Sequence, residues 1–214
     1  MAIESEIKFT VADKTILEKV ASLDSIAGFD TVDRGVSLQT DICFDTSDFL
    51  LFHNKIVFRL RIRENLSVLT FKAQGPPPKS SADIVHHRIE IENNTDVTVD
   101  DIIQGRFPDI PPVIALIERV GKINLIQSLT VNNMRHTFVL EEARKPHFEL
   151  VLDDVTFVGP GGVHEVYELE IESLAGDDAG LRKIAAWLSG RYDLKPAGPS
   201  KYILGMELVG NVRQ

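Results

Sequence analysis

The sequence predicts an α+β fold that is mainly antiparallel β-sheet, closed into a barrel with helices packed outside it. Three observations carry this prediction. Apolar and polar side chains alternate with period two on about seven segments, as they do on half-buried strands. Three short segments carry an apolar stripe at helical spacing. The charged faces of the strands are segregated by sign, which is unusual for a solvated surface.

The helical segments have recognisable start signals. Asp13 can cap a helix over 14–23, and a proline pair suits the first turn of a helix over 111–126. A third helix starts at 177 or 178 and ends near 190, and a short helical turn can follow Thr98. The proline-rich stretch 75–81 lies between two strand patterns and is expected to form a surface loop.

The strand patterns place apolar residues on one face and charged residues on the other. Near the N-terminus, for example, Ile7 and Phe9 alternate with Glu6 and Lys8. The polar and charged faces comprise Glu4, Glu6 and Lys8; Arg59, Arg61 and Arg63; Thr70 and Lys72; Arg88, Glu90 and Glu92; Arg135; Glu149 and Asp153; and Glu168, Glu170 and Glu172.

Any one of these strands could simply turn its charged face to water. Side chains two residues apart on a strand are about 6.6 Å apart, so two like charges there repel by roughly 2.5 kcal/mol at an effective dielectric of 20. Three glutamates or three arginines in phase therefore need opposite charges nearby. A barrel with its apolar face covered by helices would bring the charged faces together in its interior.

Composition excludes several functional classes. The 214 residues include 32 acidic and 23 basic side chains, a formal charge of −9, which does not suit wrapping duplex DNA or lying on an anionic membrane. Cys43 is the one cysteine, and no segment resembles a signal peptide or a transmembrane span. We therefore expect one domain over 1–214 in the cytoplasm, either a monomer or a homodimer.

The residue types of the predicted interior indicate its chemistry. Clustered carboxylates suit hard divalent cations such as Mg²⁺ or Mn²⁺. Clustered arginine and lysine suit a multivalent phosphate. Together they are the components of metal-assisted phosphoryl chemistry, so the ligand is expected to be compact, highly anionic and accompanied by metal.

These residues resemble the signature motifs of the CYTH domains, also called triphosphate tunnel metalloenzymes. Glu4-Ser5-Glu6-Ile7-Lys8 resembles the ExExK motif of that family. Similar segments follow in family order to near the C-terminus: Cys43-Phe44-Asp45-Thr46, Phe58-Arg59-Leu60-Arg61, Leu69-Thr70-Phe71-Lys72, Arg88-Ile89-Glu90, Arg135, Leu152-Asp153, Glu168-Leu169-Glu170-Ile171-Glu172 and Ser200-Lys201.

The resemblance implies an eight-stranded antiparallel barrel and hydrolysis of a triphosphate with Mg²⁺ or Mn²⁺, most like bacterial inorganic triphosphatases. Phosphate would be bound by Lys8, Arg59, Arg61, Lys72, Arg135 and Lys201. Metal would be held by Glu4, Glu6, Asp153, Glu168, Glu170 and Glu172, and Glu90 would complete the acidic set. Lys8, Glu170 and Glu172 are the implied catalytic residues, with Glu170 or Glu172 taking a proton from the attacking water.

Other activities fit the same resemblance. The substrate could be thiamine triphosphate or another organic triphosphate, and some family members are adenylate cyclases that release pyrophosphate from ATP. A module that only binds polyanions is disfavoured, because binding alone needs mainly cations.

Overall fold

The computed structural model describes residues 2–64, 66–75, 84–197, 200–210 and 212. Most of the loop expected over 75–81 lies outside these residues. The strands are β1 (Ala2–Val11), β2 (Ser25–Ile26), β3 (Phe29–Asp45), β4 (Val57–Arg63), β5 (Leu66–Gln74), β6 (His86–Asn94), β7 (Ile126–Glu142), β8 (Lys145–Gly159), β9 (Gly162–Ser173) and β10 (Leu194–Pro196).

Eight of the described strands form a closed antiparallel barrel, which confirms the predicted fold class. Their order around the barrel is β1-β6-β5-β4-β3-β7-β8-β9, and β9 pairs with β1 to complete the ring. The two short strands are additions to this ring, since β2 pairs with β3 and β10 pairs with β1. Closure leaves the eight barrel strands without a free edge.

The described helices are α1 (Lys14–Ala21), α2 (Leu50–His53), α3 (Val99–Ile103), α4 (Pro111–Val120), α5 (Asp178–Ser189) and α6 (Lys201–Val209). Four correspond to predicted helices. Asp13, Thr98 and Asp177 cap three of them, and α4 begins with the predicted proline pair after an N-cap at Ile110. None of the described helices has the length and apolar composition needed to span a membrane.

Two predicted helix ends were wrong. The helix expected over 14–23 ends at Ala21, with Ser22 as its C-cap. The helix expected over 111–126 ends at Val120, because Gly121 has a φ of +78° and Ile126 already starts β7. Helices α2 and α6 were not predicted. Helix α6 is apolar nearly all round, so it has no amphipathic stripe by which the sequence would reveal it. Its Gly205 packs closely against the barrel, because a Cβ atom at this position would lie 2.6 Å from side-chain atoms of Leu129 and Phe157.

The apolar strand faces point outward and are covered by helices, as the alternation predicts. One cluster packs Ile7 and Phe9 of β1, with residues of β8 and β9, against Leu17 of α1 and Ile184 of α5. A second cluster packs outward residues of β4 and β5 beneath α3 and α4. Both clusters are well buried, which supplies the main hydrophobic stabilisation of the barrel.

The interior is not charged along its whole length. At one end, Cys43, Val57, Val131 and Val155 share the face of the charged residues on their strands and pack against Tyr202 and the rest of α6. This helix therefore fills one end of the barrel with apolar side chains. Cys43 is buried there, and burial raises the pKa of its thiol, which disfavours the reactive thiolate form.

A buried hydrogen-bond centre joins α6 to the barrel. The Asp45 carboxylate at the end of β3 accepts bonds from the backbone N–H groups of Thr46, Leu51 and Phe52 at 2.7–2.9 Å. It also accepts a 2.5 Å bond from the Tyr202 hydroxyl. The Cys43–Thr46 motif is thus a structural anchor that caps α2 and holds the first turn of α6.

We expect Tyr202→Phe to lower the free energy of unfolding by about 1.5–3 kcal/mol, because it removes a buried hydrogen bond to a charged acceptor. Tyr192→Phe is the matched control, because Tyr192 is only partly buried where it packs against the first apolar cluster. This substitution should change the free energy of unfolding by less than about 0.5 kcal/mol. Chemical denaturation measures both. Equal stabilities for Tyr202→Phe and wild type would contradict this assignment.

Candidate functional site

The charged faces of the strands enclose a cavity of about 230 Å³ inside the barrel, here called the barrel cavity. Eleven of the thirteen residues expected at the site line it: Glu4, Glu6, Lys8, Arg59, Arg61, Lys72, Glu90, Arg135, Glu170, Glu172 and Lys201. The other two, Asp153 and Glu168, are fully buried behind its wall and contact Lys201. Strand periodicity and barrel closure together bring residues nearly 200 positions apart into one space.

Lys201 lies at the centre of one acidic group. Its Nζ atom is 2.8 Å from Asp153 Oδ2 and 2.7 Å from Glu168 Oε2, and it also bonds to Glu170. Carboxylate oxygens of these three residues lie within 4.8 Å of one another, a spacing that could hold a metal ion. Here the ammonium group of Lys201 neutralises them instead.

Two more cations reinforce this group. Arg135 bonds to Asp153 at 2.7 Å and to Glu170 at 3.1 Å, and Lys8 lies 2.7 Å from Glu170. Burial opposes ionisation of Glu170, but Lys201, Lys8 and Arg135 hold its pKa well below the usual value. Glu170 is therefore ionised at neutral pH and contacts three cations.

A second acidic group has the opposite character. Glu172 on β9 lies directly opposite Glu6 on β1 and Glu149 on β8, so three glutamates form one row across adjacent strands. Glu6 has Arg88 at 2.9 Å, but neither Glu149 nor Glu172 has a cation within 4 Å among the described residues. Burial and the nearby Glu149 raise the pKa of Glu172 to about 7. Like charges directly opposite one another repel, so this row suits a divalent cation.

Glu4 extends the same acidic side of the cavity. It shares Lys72 with Glu90, at 2.7 Å and 2.6 Å from Nζ. Burial and the hydrogen bond to Glu90 raise the pKa of Glu4 to about 8, against the opposing influence of Lys72. The structure thus contains more carboxylate at this side than its cations neutralise.

The facing wall is basic and is built on β4. Arg61 makes a bidentate contact with Asp41, with Nε at 2.6 Å and Nη2 at 2.8 Å, and Arg59 reaches the same carboxylate at 3.1 Å. Arg59 also approaches Glu90 at 3.4 Å. These guanidinium groups are held in fixed positions, which favours bidentate recognition of phosphate oxygens.

Sequence reasoning missed several of these residues. Asp41 lies on β3, a strand whose irregular pattern gave no alternation signal, and Tyr202 lies on the unpredicted α6. Glu149 and Arg88 were on recognised charged faces, but their importance depends on which residues lie opposite them. That register is not visible in one sequence.

The comparisons with known proteins agree with this geometry. The sequence profile of the CYTH domain matches residues 2–200, and the chain therefore belongs to the CYTH family. Among curated proteins, none matches the sequence.

Solved structures with the same fold share little sequence with this chain. A candidate adenylyl cyclase from Hippeastrum, described as having a dominant triphosphatase activity, has a TM-score of 0.64 at 16% identity, covering 99% of both chains. A candidate adenylate cyclase from Bacillus halodurans has a TM-score of 0.62 at 16% identity, covering 95% of this chain and 98% of its own. A protein from Pyrococcus horikoshii has a TM-score of 0.59 at 21% identity, covering 94% and 98%.

We expect Glu172→Gln to become progressively more stable than wild type as the pH rises from 5 to 8 in metal-free buffer. The folded wild type binds this proton more tightly than the unfolded chain, so ionisation above the unfolded pKa costs folding free energy that glutamine avoids. Solvent screening keeps the effect on the order of 1 kcal/mol.

Denaturation at each pH with a chelator present measures this difference. Glu165→Gln, on the exposed part of the same strand, is the control and should track wild type. A Glu172→Gln stability difference that stays constant across this pH range would show that Glu172 is not held in an acidic environment.

Proposed function

We propose that this protein is a metal-dependent hydrolase that cleaves inorganic triphosphate to pyrophosphate and phosphate inside the barrel cavity. The observation that carries the proposal is the division of one cavity into a basic wall and an acidic wall. A compact polyphosphate would contact the first, and the carboxylates of the second would hold a divalent cation. Membership of the CYTH family supports the same conclusion.

The acidic row fits the implied cation. Glu6, Glu149 and Glu172 present oxygen ligands on adjacent strands, and Glu4 lies on the same strand as Glu6. Mg²⁺ and Mn²⁺ prefer such ligands. A cation bound there supplies charge neutralisation for the phosphate oxygens during cleavage. The Asp153–Glu168–Glu170 group fits less well, because Lys201 already neutralises it.

Phosphate oxygens are expected to contact Lys8, Arg59, Arg61, Lys72, Arg135 and Lys201. Each of these cations already has a carboxylate partner, which fixes its position before substrate arrives. Preorganised charge of this kind is the main contribution that a protein makes to phosphoryl transfer.

The two glutamates expected to accept a proton have different roles in this proposal. Glu170 contacts three cations, so it positions Lys8, Arg135 and Lys201 rather than acting as a base. Glu172 lacks a cationic partner among the described residues, so a carboxylate oxygen of this residue remains available to accept a proton from water. We therefore assign proton acceptance from the attacking water to Glu172.

Two observations favour a small inorganic substrate over a nucleotide or RNA. Of the described residues that line the cavity, Tyr202 is the one aromatic side chain, and its hydroxyl is bonded to Asp45. Eight of the 23 basic and ten of the 32 acidic residues line the cavity or contact Lys201 within it. Among the residues outside this cavity, 22 acidic side chains outnumber 15 basic ones, so no net positive charge is available there to bind the phosphates of a polynucleotide.

The first prediction from this proposal concerns the substrate. Purified protein with Mg²⁺ or Mn²⁺ should release phosphate and pyrophosphate from inorganic triphosphate in equal amounts, and chelation should abolish release. Parallel reactions with thiamine triphosphate and ATP test the alternatives. Faster hydrolysis of thiamine triphosphate would reassign the substrate, and cyclic AMP from ATP would reassign the reaction to a cyclase.

The second prediction concerns the acidic row. Glu172→Gln should reduce kcat for triphosphate at least 100-fold while the protein remains folded, as judged by circular dichroism. The reason is loss of both a cation ligand and a proton acceptor. Glu165→Gln is again the control and should retain full activity. Normal turnover in Glu172→Gln would refute the assignment of this residue.

A further inference from the structure

Arg63 differs from every other basic residue of the barrel cavity. It follows Arg59 and Arg61 in phase on β4, is partly buried and lines the cavity. Among the described residues, no carboxylate lies within 4 Å of its guanidinium group, and its Nε atom is buried without a hydrogen-bond acceptor. Along the arginine row of β4, Arg59 and Arg61 form salt bridges and Arg63 forms none with the described residues.

The surroundings of Arg63 carry excess positive charge. Burial lowers the pKa of Arg63, and Arg61 and Arg135 lower it further, against the opposing influence of Glu92. Asp41, the carboxylate that contacts the preceding arginines of β4, is already shared by Arg59 and Arg61. Arg63 therefore lies where an additional anion would relieve repulsion and satisfy a buried donor.

Binding an anion at Arg63 differs energetically from binding one elsewhere in the cavity. A phosphate that contacts Arg61 must compete with Asp41, and one that contacts Lys72 must compete with Glu4 and Glu90. At Arg63 no internal ion pair among the described residues is disturbed. An anion that binds at Arg63 therefore keeps more of its electrostatic binding free energy than one that binds at Arg61 or Lys72. That free energy increases with the negative charge of the anion.

The charge of a phosphate depends on whether it is esterified. A free terminal phosphate carries about −1.5 to −2 at pH 7, like a phosphate monoester, whereas an internal phosphate in an ester-linked chain carries one charge. Successive residues on the inward face of β4 are about 6.6 Å apart, so a short polyphosphate lying along the strand meets these guanidinium groups in turn. An inorganic chain has a free phosphate at both ends, so one end can lie at Arg63 while the other lies at the site of hydrolysis. An organic triphosphate has one free end, and in the orientation that cleaves its terminal phosphate the singly charged ester phosphate is the one left for Arg63.

We propose that Arg63 is a specificity-determining residue that binds a free terminal phosphate of inorganic triphosphate and thereby favours it over triphosphate esters. This inference rests on the proposed function, because it concerns the substrate of the same cavity.

The test compares Arg63→Gln and Arg63→Lys with wild type in binding and in hydrolysis. Calorimetry with inorganic triphosphate and with ATP, each in chelator-treated buffer in which hydrolysis does not proceed, measures Kd, and phosphate release with Mg²⁺ measures kcat/KM. We expect Arg63→Gln to weaken inorganic triphosphate binding at least 10-fold and ATP binding less than 2-fold. Arg63→Lys should restore part of the loss, because it keeps the charge. Arg119→Gln, an exposed substitution on α4, should change neither.

The outcomes separate this inference from the proposed function. Equal losses for both ligands, or no loss for either, would overturn the role of Arg63 while hydrolysis by wild type still supports the function. Selective loss of inorganic triphosphate binding without hydrolysis by wild type would support Arg63 and refute the hydrolase. A wild type that binds neither ligand would overturn both.

Discussion

The central constraint on this structure is the burial of many charged side chains inside one barrel. Charges can be removed from water only if they are paired, because the desolvation cost is otherwise prohibitive. The cavity meets this constraint with a network in which Lys201, Arg135 and Lys8 share acidic partners and Arg59 and Arg61 share Asp41. Within the part of the chain that the structure describes, two places of this network lack an opposite charge, the Glu149–Glu172 pair and Arg63. One lacks positive charge and the other lacks negative charge, so a metal and an anion are the ligands that would complete it.

Helix α6 connects this electrostatic arrangement to the rest of the fold. Its first residue, Lys201, enters the acidic group, while Tyr202 bonds to Asp45 and the following residues fill the apolar end of the barrel. The apolar packing of α6 therefore fixes the position of Lys201 in addition to its charged contacts. The same arrangement confines the charged part of the interior to the remainder of the barrel, where the basic and acidic walls face each other.

Much of this could be predicted from the sequence, because strand periodicity alone decides which side chains share a face. The clustering of Glu4, Arg61 and Glu170 follows from alternation and closure. Cross-strand register does not, since it depends on turns and bulges, such as the shift between Asp33 and Gly35 in β3. For that reason sequence reasoning grouped all six acids as one metal site. The structure separates those that surround Lys201 from the row that includes Glu149.

The division of the acids into two groups can be observed directly by anomalous diffraction from crystals grown with Mn²⁺. We expect an anomalous peak inside the barrel between Glu6, Glu149 and Glu172, with Lys201 still in contact with Asp153 and Glu168. A peak between Asp153, Glu168 and Glu170 with Lys201 displaced, or bound metal only outside the barrel, would contradict it.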